Sequence, residues 1–328
     1  MKSPAQATLV LALAILLSAV FFVSIWIGPI ELDPAQIFTT ADDTTPHALI
    51  FWEIRLPRSL LAVLAGATLG LTGAVMQGYL RNPLASPGLL GNASGAALFS
   101  VILLYFGIYS AFWLPIAGML GSFIALTLVL LMAGSHASLT VLILSGVAVN
   151  SVCAAAMALL LNLAPSPWAV RDLYLWMQGS LSNASTTDLM IMIVPLVIGW
   201  MLLLGHGKSL DALTFGEDTA VSMGVDIKKL RITIVIGLSL AIGAVIPVTG
   251  IIGFIGLVVP HILRPVTGYL PSRLLVPSAL TGAILLLIAD LFVRLLSSGQ
   301  ELRIGVLTSI VGGPFFIALI IKHRKSLF

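Results

Sequence analysis

The chain has 328 residues, of which 59% are hydrophobic and 9% charged, with a mean hydropathy of +1.12. A soluble domain carries about 25% charged residues and a disordered chain needs high charge with low hydrophobicity, so both are excluded and the solvent is lipid. The net charge of +3 does not point to nucleic acid, because no basic face with interleaved aromatics occurs; a mild cation excess belongs to cytoplasmic loops.

A membrane crossing needs about 20 mostly apolar residues. In chain order, spans are predicted near 8–28, 57–80, 89–108, 112–133, 139–163, 188–205, 275–296 and 304–321. The first is too long for a signal-peptide core and no A-x-A pattern follows it, so it reads as a retained helix. Cys153, the one cysteine, permits no intrachain disulfide and reads as a small buried hydrophobe. Residues 232–260 form a 29-residue uncharged run, long for one crossing and short for two. Lys228, Lys229 and Arg231 precede it and His261 and Arg264 follow, so both of its ends should face the cytoplasm. An out-and-back path marked by Pro247, Gly250, Gly253 and Gly256 meets that demand. The expected fold is an all-α polytopic membrane protein, a single transmembrane domain over 1–328 with about ten transmembrane helices and both termini cytoplasmic. Eleven of the sixteen Lys and Arg then lie inside. A faint echo between LGLTGAV (69–75) and LAIGAV (240–245), starting from opposite faces, has the character of an inverted repeat.

Three polar stretches interrupt this pattern. At 53–58, Arg55 and Arg58 place positive charge on the outer face, against the usual bias; an acidic partner or a phosphate headgroup would explain them. At 81–88, RNPLASPG carries two prolines that enforce non-helical backbone, as an ordinary turn or as a gate. The segment 207–231 reads as two short helices broken at Gly216, with Asp211 to Phe215 as the first turn. Glu217 and Asp218 favour a helix start and Gly224 a stop. Leu210, Leu213, Phe215, Val221 and Met223 are too many apolar residues for a solvated loop, so they pack beneath the bundle or dock another protein. Asp290 is the one acid well inside an apolar run, and Arg294 lies four residues on along the same helix face. The pair is a local ion pair, or Asp290 is the coupling site of an ion-driven transporter. No G-x-x-x-x-G-K-[ST] loop occurs, so the chain has no visible means of binding ATP itself. An intramembrane enzyme is disfavoured because no nucleophile–base or metal set is visible.

These features occur together and in order within IRLPRSLLAVLAGATLGLTGAVMQGYLRNPLASPGLLG (54–91), LILSGVAVNS (142–151), LDALTFGEDTAVSMGV (210–225), GFIGLVVPHILR (253–264), LLVPSALTGAILLLIADLFVRL (274–295) and IGVLTSIVGGPFF (304–316). In them the chain resembles the permease subunit of the type II ABC importers that take up iron-siderophores, haem and vitamin B12. The resemblance implies a pore of two permease subunits, a homodimer or a pair with a sibling. It also implies two separate ATP-binding subunits that hold ATP and magnesium, and a periplasmic binding protein, all at a bacterial inner membrane. No cofactor is expected on this chain, and no enzymatic activity. The resemblance implies that Phe215, Gly216, Glu217, Asp218, Ala220, Val221, Met223 and Gly224 couple to the ATPase. It puts a cytoplasmic gate at Asn82, Leu84, Leu139 and Thr140, and makes Arg55, Arg58 and Arg294 resemble arginines that meet acidic residues of the binding protein. Glu301-Leu302-Arg303 stands where the family often has Glu-Leu-Pro. Details of the motifs lean toward an iron chelate, with cobalamin as the alternative.

Overall fold

The computed structural model describes residues 4–38, 45–134, 139–296 and 302–323. Glu301, and Lys2, Arg324 and Lys325 among the eleven cations counted as inside, lie outside the described residues. The described chain is helical throughout: α1 (Pro4–Trp26), α2 (Pro34–Phe38), α3 (Pro46–Leu49), α4 (Leu56–Tyr79), α5 (Asn92–Tyr105), α6 (Trp113–Ala133), α7 (Leu139–Asn162), α8 (Pro167–Met177), α9 (Thr186–Leu204), α10 (Gly207–Leu213), α11 (Glu217–Ser222), α12 (Ile227–Thr249), α13 (Ile255–Thr267), α14 (Pro271–Leu296) and α15 (Ile304–His323). Among the described residues, seven helices are long and apolar enough to cross a membrane, and α5, α13 and the 304–318 part of α15 are shorter apolar helices. The run 232–260 is accordingly two helices, α12 and α13, parted by a non-helical stretch in which Phe254 takes the left-handed φ of 66°.

The predicted spans shift where local backbone chemistry intervenes. The third begins at Asn92 rather than 89, because Pro87–Leu90 forms a separate 3-10 turn ended by Gly91 in the left-handed region. The second extends outward through α3 and a π-helical turn, Ile50–Arg55, giving one 34-residue column from Pro46 to Tyr79. The first helix of the polar loop starts at Gly207 and ends at Leu213, earlier than the turn expected at Asp211 to Phe215.

Burial sorts the helices. The apolar window of α4 is 83% buried inside the protein and that of α12 72%, whereas α1 has 11% and faces outward. Lipid chains are as apolar as leucine, so helices in a membrane associate by close packing of small residues. A Cβ added at Gly66 would lie 2.3 Å from the Gly282 carbonyl oxygen, and one at Gly70 would lie 2.1 Å from that of Ser278, so the backbones of α4 and α14 nearly touch. A Cβ added at Gly73 would come closer still to the Gly256 carbonyl oxygen of α13, at 1.9 Å, and Gly95 and Gly121 join α5 to α6 in the same way. Polar bonds add fixed points: Trp200 Nε1 donates to Thr68 Oγ1 at 3.1 Å, tying α9 to α4. Gly73→Ala is expected to force α4 and α13 apart at a cost of about 1–3 kcal/mol, the range for overpacking. A thermal-unfolding midpoint in detergent equal to the parent's would refute that close approach.

The path alternates between two ends, named inner and outer after the cation bias. α10 and α11 lie at the inner end together with the C-termini of α4 and α13. The outer end holds the C-terminus of α1, the start of α4 and the C-terminus of α14. A long buried helix, a non-helical break and a short apolar helix occur twice, as α4 then α5 and as α12 then α13, in line with the echo in the sequence.

Candidate functional site

The inner loop divides its apolar residues between two tasks. Leu210 and Leu213 are fully buried with Ala212 and Ala220, whereas Phe215, Val221 and Met223 are 68%, 57% and 60% exposed. Packing beneath the bundle thus accounts for one set and leaves the other facing outward. The loop is held rigidly. Asp211 Oδ1 accepts the backbone N–H of Ser272 at 2.8 Å, fastening α10 to the start of α14. Asp226 caps α12 by accepting the N–H of Lys229. Gly216 (φ 103°) and Gly224 (φ 87°) bracket α11 with backbone open mainly to glycine. Glu217 and Asp218 stand exposed at its start, where the helix dipole favours them. Burial first, and then the Lys229 cation, lower the pKa of the His206 imidazole just ahead of α10. Beside α11 a groove of about 820 Å³ opens between α6 and α12, with Val221, Glu217, Lys228 and Leu131 on its walls. An exposed apolar trio rimmed by charge is the usual mark of a protein-binding surface.

The turn after α4 is stiff. Asn82 donates its N–H to the Gln77 carbonyl and takes the Leu84 N–H on its side-chain oxygen at 2.9 Å. Asn82 and Leu84 are half-buried, and Thr140 is exposed at the start of α7; the side chain of Leu139 lies outside the described residues. The contact of this turn with α7 runs through Asn150, whose side chain donates to the Gly88 carbonyl at 2.9 Å, and through Gly146, which abuts the Leu89 carbonyl. No hydrogen bond joins Asn82 or Leu84 to Thr140 among the described residues.

At the outer end two of the three arginines, Arg55 and Arg294, are buried, and Arg58 is half-buried. Arg55 is 5% exposed and donates to the backbone carbonyls of Ile25 at 3.2 Å and Trp26 at 2.6 Å and to that of Ile30. Arg294 is 8% exposed; its Nε donates to Asp290 Oδ2 at 2.7 Å, and its terminal nitrogens pair with the same carboxylate and reach the Ser24 carbonyl and the Ser59 hydroxyl. Arg58 grips the other carboxylate oxygen from α4, with Nε and a terminal nitrogen each 2.9 Å from Oδ1. The physical reason is that apolar surroundings leave guanidinium groups no water, so carbonyls and one carboxylate satisfy them. Asp290 is therefore a two-sided ion pair, as its spacing from Arg294 suggested, with neither oxygen left for a coupling ion.

Residues not singled out in the sequence also matter. Ser24 and Ser59 share a 2.8 Å hydrogen bond inside the arginine cluster. Gln77, 1% exposed, donates to the Leu257 carbonyl and accepts from Arg264. A lone amide within an apolar run was the signal available for Gln77.

With seven long and three shorter apolar helices among the described residues, a rigid inner loop bearing an outward apolar face and no nucleotide loop of its own, the chain can be set beside known proteins. The family described as the FecCD transport family matches residues 16–322. The chain belongs to the FecCD transport family. It is 37% identical over 301 residues to the hemin transport system permease protein HmuU of Yersinia pestis, covering 88% of this chain and 87% of that protein. It is 39% identical over 282 residues to the vitamin B12 import system permease protein BtuC of Salmonella paratyphi A, covering 84% and 85%. A solved structure described as "an inward-facing conformation of a putative metal-chelate type ABC transporter" superposes with a TM-score of 0.85 at 30% identity, over 96% of this chain and 99% of that one. This FecCD protein is thus a multi-pass ABC importer permease. Membership implies ATP-binding subunits and a substrate-binding protein as partners.

Proposed function

We propose that this permease carries an iron chelate, a siderophore complex or haem, across the bacterial inner membrane from a periplasmic binding protein. The single observation that bears most weight is the outward apolar trio Phe215, Val221 and Met223 on a loop pinned to α14. Two ATP-binding subunits seat against it and hold ATP and magnesium, and two copies of the permease form the pore. When nucleotide draws those subunits together, α10 and α11 move with them. Asp211 passes the motion to α14, and α14 passes it through the Gly66 and Gly70 contacts to α4 and its terminal turn at Asn82 and Leu84. Close-packed backbones of this kind shift as rigid bodies between discrete states. At the outer end, Arg55 and Arg294 act on acidic groups of the binding protein through the field of a cluster holding three cations and one Asp290, while Arg58 is nearest to direct contact. Such charge sets encounter rate more than affinity.

The haem-named relative and the metal-chelate structure support an iron chelate. Cobalamin is the second reading, supported by the vitamin B12 relative. Proteoliposomes holding the permease with its ATP-binding subunits and binding protein decide between them. ATP-dependent uptake of a ferric siderophore or haem, with none of cobalamin, is the expected result. Uptake of cobalamin alone would replace the first reading with the second, and uptake driven by an ion gradient without ATP would remove both.

A further inference from the structure

The inner end holds a small cavity that the coupling loop and gate do not account for. It has a volume of about 200 Å³ and lies where the C-terminal ends of α4 and α13 meet the start of α14 and the turn after α10. Its polar walls are Gln77, Arg81, Thr214, Arg264 and Tyr269, and no carboxylate lines it. Arg264 Nε donates to the Gln77 side-chain oxygen at 3.2 Å, and the Gln77 amide nitrogen is held in turn by the Leu257 carbonyl. That pair fixes one edge of the guanidinium. Of its five N–H donors, this is the one with a protein acceptor among the described residues. The Arg81 side chain makes no hydrogen bond or ion pair among the described residues. Two cationic forks thus border one cavity without a counter-charge.

The backbone at this cavity is also held in an uncommon state. Three described non-glycine residues have positive φ, and two of them, Arg81 (51°) and Tyr269 (62°), are cavity walls. Non-glycine residues in that region are sparse and concentrate at ligand clamps and switches. Here the conformation belongs to the two turns that bring an arginine and a phenol to the same space.

We propose that this cavity binds a phosphate group, seated between the Arg81 and Arg264 guanidinium groups with the Tyr269 hydroxyl as a further donor. A planar guanidinium matches the oxygens of a phosphate bidentately, and the cavity has room for one such tetrahedral group. The phosphate comes from the headgroup of an anionic phospholipid or from free phosphate. Arg81 adjoins Asn82 and Thr214 adjoins Phe215, so an occupant bridges the turn after α4 and the turn before α11. That bridging consequence rests on the coupling role proposed above; the binding does not.

The test uses the full-length permease in a neutral detergent and needs no transport substrate. Inorganic phosphate, short-chain phosphatidylglycerol and short-chain phosphatidylcholine are titrated separately by calorimetry. Saturable one-site binding of phosphate or phosphatidylglycerol, with none of phosphatidylcholine, is expected. Phosphate alone identifies the free ion as the source, and phosphatidylglycerol alone the lipid. Arg81→Gln should raise the dissociation constant at least ten-fold, and Arg264→Gln should do the same. Arg81 is exposed on a turn, so its variant decides the matter even where Arg264→Gln disturbs folding through Gln77. Absence of saturable binding, binding of phosphatidylcholine equal to that of phosphatidylglycerol, or a dissociation constant unmoved by Arg81→Gln overturns the proposal.

Discussion

Asp290→Asn is expected to destabilise the permease by about 3–5 kcal/mol, the range for removing one member of a buried ion pair. The carboxylate is fully buried and receives Arg58 from α4 and Arg294 from its own helix. The amide keeps the volume but leaves two guanidinium groups facing each other with no negative charge between them. Arg294 also reaches the Ser24 carbonyl on α1, so loss of the pairing should loosen α1 and α4 from α14 together. Thermal unfolding in detergent measures the effect. The companion variant carries Arg58→Met, Asp290→Leu and Arg294→Met at once. Replacing a whole buried ionic set by apolar groups of similar size is often neutral or stabilising, so this triple variant should recover most of the lost stability. A single variant as stable as the parent would mean that water reaches the cluster and screens it.

Val221→Asp is expected to cut ATP-driven transport at least ten-fold while leaving the permease folded. Val221 is 57% exposed on α11, and substitutions at such positions usually change stability by no more than about 0.5 kcal/mol. At the centre of an apolar contact a buried, unpaired carboxylate costs far more, and truncation of hot-spot residues alone reaches 2 kcal/mol or above. The measurements are uptake in proteoliposomes, retention of the ATP-binding subunits on the immobilised permease, and the unfolding midpoint. Full uptake with normal retention would take the exposed trio out of the mechanism. Loss of uptake with a lowered midpoint would mark the residue as structural.

Much of the architecture was legible because hydropathy runs follow the physics of lipid directly. The run 232–260 shows how far this went: charge at both ends suggested an out-and-back path, and the run holds two helices, the long α12 and the shorter α13. What hydropathy does not carry is backbone detail, which is why α5 starts later than expected and α10 earlier. The ion pair of Asp290 with Arg294 was visible as a four-residue spacing on one helix. Its second partner, Arg58, is 232 residues away, and no local pattern encodes such a contact. The same limit explains Arg55 and Arg294: a cation near a helix end looks exposed in sequence, and burial depends on which carbonyls the fold places around it. Apolar residues of the inner loop were identified as too many for solvent, yet only packing could divide Leu210 and Leu213 from Val221 and Met223.

The π-helical turn at Ile50–Arg55 has a bearing on how this protein tolerates change in length. Its closing bond runs from the Leu56 N–H to the Phe51 carbonyl, one residue more than an α-helical turn encloses, so the column is wound with a residue in surplus. Deleting one residue there would restore regular pitch and leave the column on either side in nearly the same register, because the π turn is what takes up the extra residue without turning its flanks. The helix would survive as a helix. A deletion within α4 has no such surplus to absorb it and would rotate everything outward of it by roughly 100°, one residue's share of a 3.6-residue turn, swinging Arg55 away from the carbonyls of Ile25, Trp26 and Ile30.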